Sequence, residues 1–103
     1  MPRSAAPLFA ALGDETRLRL VARLSRDGPT SIASLAADFA ITRQAVTKHL
    51  ETMQRAGLVR SQHRGRECLW HLEQRRLADA HRHLQEISTQ WDRTLDRLKA
   101  FLA

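Results

Sequence analysis

The chain has 103 residues, 43% hydrophobic and 27% charged, with 17 Lys and Arg against 11 Asp and Glu for a net charge of +6. That length holds one domain with a modest core and leaves little scaffold for an enzyme cleft. No apolar run approaches the ~20 residues that span a bilayer, so no membrane association is expected, and the single cysteine, which forms no internal disulfide, fits a reducing cytoplasm.

Residues 1–13 carry only a brief apolar patch that leads into a helix, so no signal peptide is expected. Pro7 suits a first helical turn, and Leu8, Phe9, Ala11 and Leu12 are its apolar side chains up to Gly13. Asp14 reads as the N-cap of a second helix, from Glu15 to about Ser25, with its acidic residue early and its arginines late as the helix dipole prefers. Leu18, Val21, Ala22 and Leu24 are its expected buried side, and residues 27–29, Asp-Gly-Pro, are a loop.

Residues 31–57 are the most informative part of the chain. Ile32, Leu35, Ala36 and Phe39 recur at helical period, with Ser31 or Thr30 placed to cap the start. Residues 38–41 leave room only for a turn. Thr42 then offers a hydroxyl to the free N–H groups of a new helix, whose inward side is Ala45, Val46, Leu50 and Met53 and whose end is marked by Gly57. Its outer side is Arg43, Gln44, Thr47, Lys48 and Glu51. This is a helix-turn-helix whose second helix has the shape and the side chains to read a major groove: Arg bonds guanine and Gln bonds adenine through two hydrogen bonds each, and Thr offers a hydroxyl and a methyl. His49 lies beside the inward stripe, where it either meets a phosphate or packs at the helix edge.

Residues 58–62 and 67–72 read as two strands, with Cys68, Trp70 and Leu72 alternating on one side, joined by a turn over residues 63–66. A hairpin in this place is the wing of a winged helix, and Arg64 and Arg66 at its tip suit phosphate or minor-groove contact. Residues 42–66 hold six basic side chains and one acidic, so nearly all of the positive excess lies in the recognition helix and wing. Such confinement is the electrostatic footprint of a nucleic-acid binder. Cys68 and Trp70 read as packing residues.

Residues 75–102 form one expected helix without Pro or Gly, about 40 Å long. Leu77, Leu84, Trp91 and Leu98 fall every seven residues, with Ala80, Ile87, Leu95 and Phe101 or Leu102 in the intervening turns. The preceding residues form a globule of only about 11–13 Å radius of gyration, too small to cover such a stripe. The expected solution is a homodimer that pairs Leu84, Ile87, Trp91, Leu95 and Leu98, with Leu8 and Leu12 of the first helix alongside. Its two recognition helices would meet major grooves about 34–36 Å apart on an imperfect palindrome.

FAALGDETRLRL at residues 9–20, ITRQAVTKHL at residues 41–50, and AGLV at residues 56–59 followed by Gly65-Arg66 resemble the motifs of the ArsR family of bacterial transcription regulators. The resemblance covers about residues 8–102 and implies a homodimeric winged-helix repressor that binds promoter DNA and often controls its own operon. Two departures from the pattern stand out. Ala40 stands in the turn where members commonly have Gly, and the metal ligands of the best-known sensors are missing. The helix before the turn has no cysteine pair. Of the terminal-helix set Asp-x-His and His-x-x-Glu, Asp79 and His81 are present, but Asp92 and Leu95 occupy the later positions. Zinc asks for four ligands, so Asp79, His81 and His83 read as local hydrogen-bonding residues, with Asp96 the one available substitute. The resemblance is to the branch without metal sites. It implies no cofactor and points to no particular inducer.

The reading is therefore a mostly α fold with a small β-hairpin, a single winged-helix domain over residues 1–103: helix-turn-helix 31–57, wing 58–72, dimerisation helix 75–102. Its function is a homodimeric, sequence-specific DNA-binding repressor. The alternatives are a metal-responsive repressor with a divergent terminal-helix site and a winged-helix protein-interaction module, the latter disfavoured by the polar face of Arg43, Gln44, Thr47 and Lys48. No catalytic constellation or phosphate loop is evident, so an enzyme is not expected.

Overall fold

The computed structural model describes residues 5–103; the first four, part of the stretch read as lacking a signal peptide, lie outside the described residues. Five helices and three strands follow in the order α1 (Ala5–Leu12), α2 (Glu15–Asp27), β1 (Thr30–Ser31), α3 (Ile32–Phe39), α4 (Arg43–Arg55), β2 (Val59–Arg64), β3 (Glu67–Leu72) and α5 (Gln74–Leu102). Leu8, Leu20, Leu35, Val46, Leu50, Met53, Leu58 and Val59 are all at 0% exposure and form the centre. Each such side chain contributes about 1.5–3 kcal/mol by leaving water.

Asp14 caps α2, its Oδ2 accepting the Arg17 N–H at 2.9 Å. The buried side of α2 is Leu20 and Leu24, with Val21 half-buried, whereas Leu18 is 50% exposed and Ala22 is exposed. The stripe is rotated from the expected one because Arg17, polar in sequence, takes an inward position. Its Nε donates to the Ala11 carbonyl at 2.6 Å where α1 ends, and its Nη2 to the Ala10 carbonyl at 3.4 Å, which also accepts the Gly13 N–H at 3.2 Å. Leu8, expected at a subunit interface, is instead enclosed by the core of its own chain, and Leu12 is half-buried against the same core. The reason is that α1 lies across α2, α4 and α5 and uses its apolar side there.

The strands form one antiparallel sheet in the order β1-β3-β2. Thr30 and Ser31, read as capping residues, pair with Trp70 and Leu69 of β3. Ser31 also caps α3, accepting the Ser34 N–H at 3.2 Å. The hairpin pairing continues to Arg64 opposite Glu67, so the expected four-residue turn shrinks to Gly65-Arg66. Gly65 at φ 64 permits that tight reversal.

α3 and α4 end with the same hydrogen-bond pattern. Ala40 and Ile41 donate to the carbonyls of Ala37 and Ala36 at 3.4 and 3.2 Å, while Gly57 and Leu58 donate to those of Gln54 and Met53, both at 2.9 Å. Each is a Schellman closure, which places one residue in the left-handed region. Gly57 (φ 79) fills that place freely; Ala40 (φ 52, ψ 40) fills it against the steric preference of a Cβ.

α5 continues for 29 residues. Leu77 and Ala80 pack on the core, and every residue beyond Ala80 is exposed. The long axis of the molecule is therefore 65 Å. Its radius of gyration is 17.7 Å, against about 13 Å for a compact chain of this length. Among the described residues, no helix is long and apolar enough to cross a membrane.

Ala40→Gly removes the left-handed strain at a small cost in unfolded-chain entropy. It should raise stability in denaturant melts by about 0.5–1 kcal/mol, whereas a lower midpoint would mean that the α3–α4 turn carries no strain.

Candidate nucleic-acid interface

α4 is fixed on one side and left open on the other. Thr42 starts the helix, its Oγ1 accepting the Ala45 N–H at 3.0 Å. Val46, Leu50 and Met53 are buried and Ala45 is half-buried, which fixes the helix about its axis. On the opposite side Arg43, Gln44, Lys48 and Glu51 are exposed, and Gln44, Thr47, Lys48 and Glu51 line one shallow groove. The Thr47 hydroxyl donates to the Arg43 carbonyl at 2.8 Å, so this side chain presents its methyl and an oxygen lone pair. No intramolecular ion pair of Arg43 or Lys48 is present among the described residues.

His49 does not join that face. It is half-buried on the flank toward α1 and α2, with Nδ1 3.5 Å from Arg17 Nη1 and 4.0 Å from Asp14 Oδ2. Of the two places left open for it by its sequence position, packing at the helix edge is the one it occupies. The backbone N–H of Arg17, more than the cations nearby, holds the Asp14 carboxyl below its ordinary value of 3.8.

In the wing, all of β2 after Val59 is exposed, and Arg64 and Arg66 stand free at the tip. Trp70 and Leu72 turn into the core, while Cys68 is half-buried and pairs across the ladder with His63. The base of the wing is fastened to α5. The Glu73 N–H donates to the Leu58 carbonyl at 2.8 Å, and the Glu73 Oε1 lies 3.4 Å from His71 Nε2 and 3.6 Å from Arg60 Nε. Arg76, 7% exposed, donates from Nε to the Ala56 carbonyl at 2.9 Å and from Nη1 to Asp79 at 3.4 Å. Sequence reading missed this link between the end of α4 and the start of α5, since an arginine in a first helical turn carries no mark of burial.

Three of the residues weighed as metal ligands have other partners. Asp79 pairs with Arg76 and Arg82, the His83 ring packs on Phe9 with centroids 5.6 Å apart, and His81 Nε2 is 3.5 Å from Gln85 Nε2. Among the described residues no three His, Cys, Asp or Glu side chains gather at a point that could hold a metal ion.

A helix-turn-helix with an open, basic second helix, followed directly by a two-stranded wing, defines a winged-helix DNA-binding domain. The sequence pattern of a family described as "Helix-turn-helix domain" matches residues 12–62. The chain is 33% identical over 93 residues to the HTH-type transcriptional regulator Rv2034 of Mycobacterium tuberculosis, covering 90% of this chain and 83% of that protein. It is 38% identical over 65 residues to the HTH-type transcriptional regulator YuzN of Bacillus subtilis, covering 57% and 71%. Its structure superposes on an ArsR-like transcriptional regulator from Rhodococcus sp. RHA1 with a TM-score of 0.86 and 39% identity, over 94% of this chain and 88% of that one. The chain belongs to the ArsR family and is a transcriptional regulator with a helix-turn-helix DNA-binding domain.

Because the folded-state Asp14 carboxyl titrates below 3.8, its contribution to stability is complete above the ordinary carboxylate range and is lost as pH falls through it. Asp14→Asn keeps a capping side chain but no charge. Its destabilisation relative to wild type should be present at pH 7 and shrink toward pH 3 in urea titrations; a difference independent of pH would assign the effect to shape alone.

Proposed function

We propose that the protein is a homodimeric, sequence-specific repressor that binds an imperfect palindrome in promoter DNA, including that of its own operon, in the cytoplasm. The observation that carries this reading is the division of α4 into a side fixed by buried Val46, Leu50 and Met53 and an outer side of exposed Arg43, Gln44 and Lys48 with half-buried Thr47. Those side chains read base edges, with Arg bonding guanine and Gln bonding adenine. Thr42, at the start of the helix, and Arg64 and Arg66, at the wing tip, take phosphates or the adjacent minor groove. His49, turned toward Asp14 and Arg17, acts by holding the helix against α2.

Homodimerisation rests on the α5 stripe. Leu84, Ile87, Trp91, Leu95 and Leu98 are 41–62% exposed on a helix that has left its own globule, an apolar surface of the kind that soluble proteins cover. Two subunits related by a twofold axis present two α4 helices to one face of a duplex, which is why the site is a palindrome. Repression follows from occupancy, since a dimer lying across a promoter excludes polymerase. Control of its own operon is the ArsR-family habit carried over to this chain.

Arg43→Ala and Gln44→Ala should each weaken binding to selected sites by about 1–3 kcal/mol while leaving affinity for random duplex nearly unchanged. Equal losses on both in gel-shift titrations would remove base reading from this helix. For the wing, Arg64→Gln with Arg66→Gln should reduce the slope of log K against log salt by about 0.9 for each phosphate that the variant no longer neutralises; an undiminished slope would place the wing tip off the phosphates.

A further inference from the structure

Glu51 is the one acid in the basic stretch of residues 42–66, and it stands on the open face of α4. It is exposed, and with Gln44, Thr47 and Lys48 it lines the shallow groove there. At 3.6 residues per turn Glu51 falls between Thr47 and Gln44 around the helix, about 6 Å beyond Thr47 and about 10 Å beyond Gln44 along the axis. Among the described residues its carboxylate takes part in no ion pair or hydrogen bond. The donors one turn away on its own helix are engaged elsewhere: the Thr47 hydroxyl donates to the Arg43 carbonyl at 2.8 Å, and Arg55 Nη2 to Thr52 Oγ1 at 3.4 Å.

A carboxylate in that place is repelled by the phosphates that flank the major groove unless a base edge gives it a hydrogen bond. The four bases differ in what their edges can give. Guanine shows two acceptors, thymine an acceptor and a methyl, adenine a donor beside an acceptor, and cytosine a donor alone. An ionised carboxyl group has acceptor oxygens only. Cytosine is therefore the one base whose major-groove edge meets Glu51 without setting oxygen against a lone pair.

Resting on the base-reading role proposed above for α4, we infer that Glu51 is a specificity-determining residue that selects a cytosine in each half-site, accepting a hydrogen bond from its N4 amino group. The neighbouring side chains complement that choice. Lys48, about 4.5 Å back along the axis, has donors only and suits the O6 and N7 of the guanine paired with that cytosine or of the adjacent pair. Thr47, with its hydroxyl proton committed, turns a methyl and a lone pair to the groove. The open face thus changes along the helix from donors at Arg43 and Gln44 to an acceptor at Glu51, so it distinguishes the two directions of a half-site as well as its bases.

The test is selection of bound sites from a random duplex library by the wild-type protein, Glu51→Gln and Glu51→Ala, followed by affinity measurements on single-pair variants of the selected site. Wild type should select cytosine at one pair of each half-site and lose about five- to 150-fold in affinity when that pair is changed. Glu51→Gln should give up cytosine there in favour of adenine, which glutamine bonds through two hydrogen bonds. Glu51→Ala should accept all four bases at that pair and read every other pair as before. Both variants should bind random duplex more tightly than wild type, because a negative charge has left the groove. A uniform rise on all sequences, with the preferred bases unchanged, makes Glu51 a solvated charge and overturns the inference while leaving base reading by α4 standing. Any base other than cytosine at the pair that Glu51→Ala relaxes overturns it as well. A wild-type protein that enriches no sequence overturns the reading role of α4 itself.

Discussion

What this molecule does depends on α4 being held from one side only. Val46, Leu50 and Met53 are wholly enclosed, and each resists rotation of the helix by about 1.5–3 kcal/mol of apolar burial. That grip leaves Arg43, Gln44 and Lys48 in water at fixed angles. If the buried side were looser, the open side would lose its aim. Two-pronged hydrogen bonds of the kind proposed for this helix need the aim as much as they need the residue types.

The same rigidity extends past the helix ends. Thr42 closes the start of α4, and the Gly57–Leu58 closure ends it with Leu58 and Met53 both out of water. Arg76 then carries the end of α4 onto α5 by bonding the Ala56 carbonyl, while Glu73 joins the base of the wing to the same turn. α4, the wing and α5 thus meet within a few residues. Arg17 performs the corresponding service at the other end of the domain, joining the α1 terminus to α2 and facing His49 on α4.

Much of this was legible in the sequence, because helical periodicity and capping residues are local signals. The bounds of α3 and α4, the caps at Asp14 and Thr42, the closure at Gly57 and the exposed stripe of α5 all follow from residues within a few positions of one another. What the sequence concealed is long-range or depends on a polar side chain lying inward. β1 has two residues, too short for an alternation to register, and exists because β3 offers it an edge. The buried side of α2 lies one face away from its apparent stripe, since Arg17 and Leu18 exchange the environments that their hydropathy suggests. Leu8 carried no sign of which core it would enter, and Arg76 resembled any solvated arginine. For the candidate site, the residue types on α4 were readable, whereas the direction of His49 depended on where α1 and α2 came to rest.

α5 leaves the globule without a break between Ala80 and Leu84. One extra residue inserted there would turn everything distal to it by about 100° and move it 1.5 Å outward. The short span between the Arg76 anchor and the first exposed leucine is therefore a phasing element, comparable to the keyway of a shaft. Length variation among related chains should be tolerated there in blocks of about seven or eleven residues, which restore the angle, while single insertions and deletions gather in the wing tip, where nothing downstream is turned.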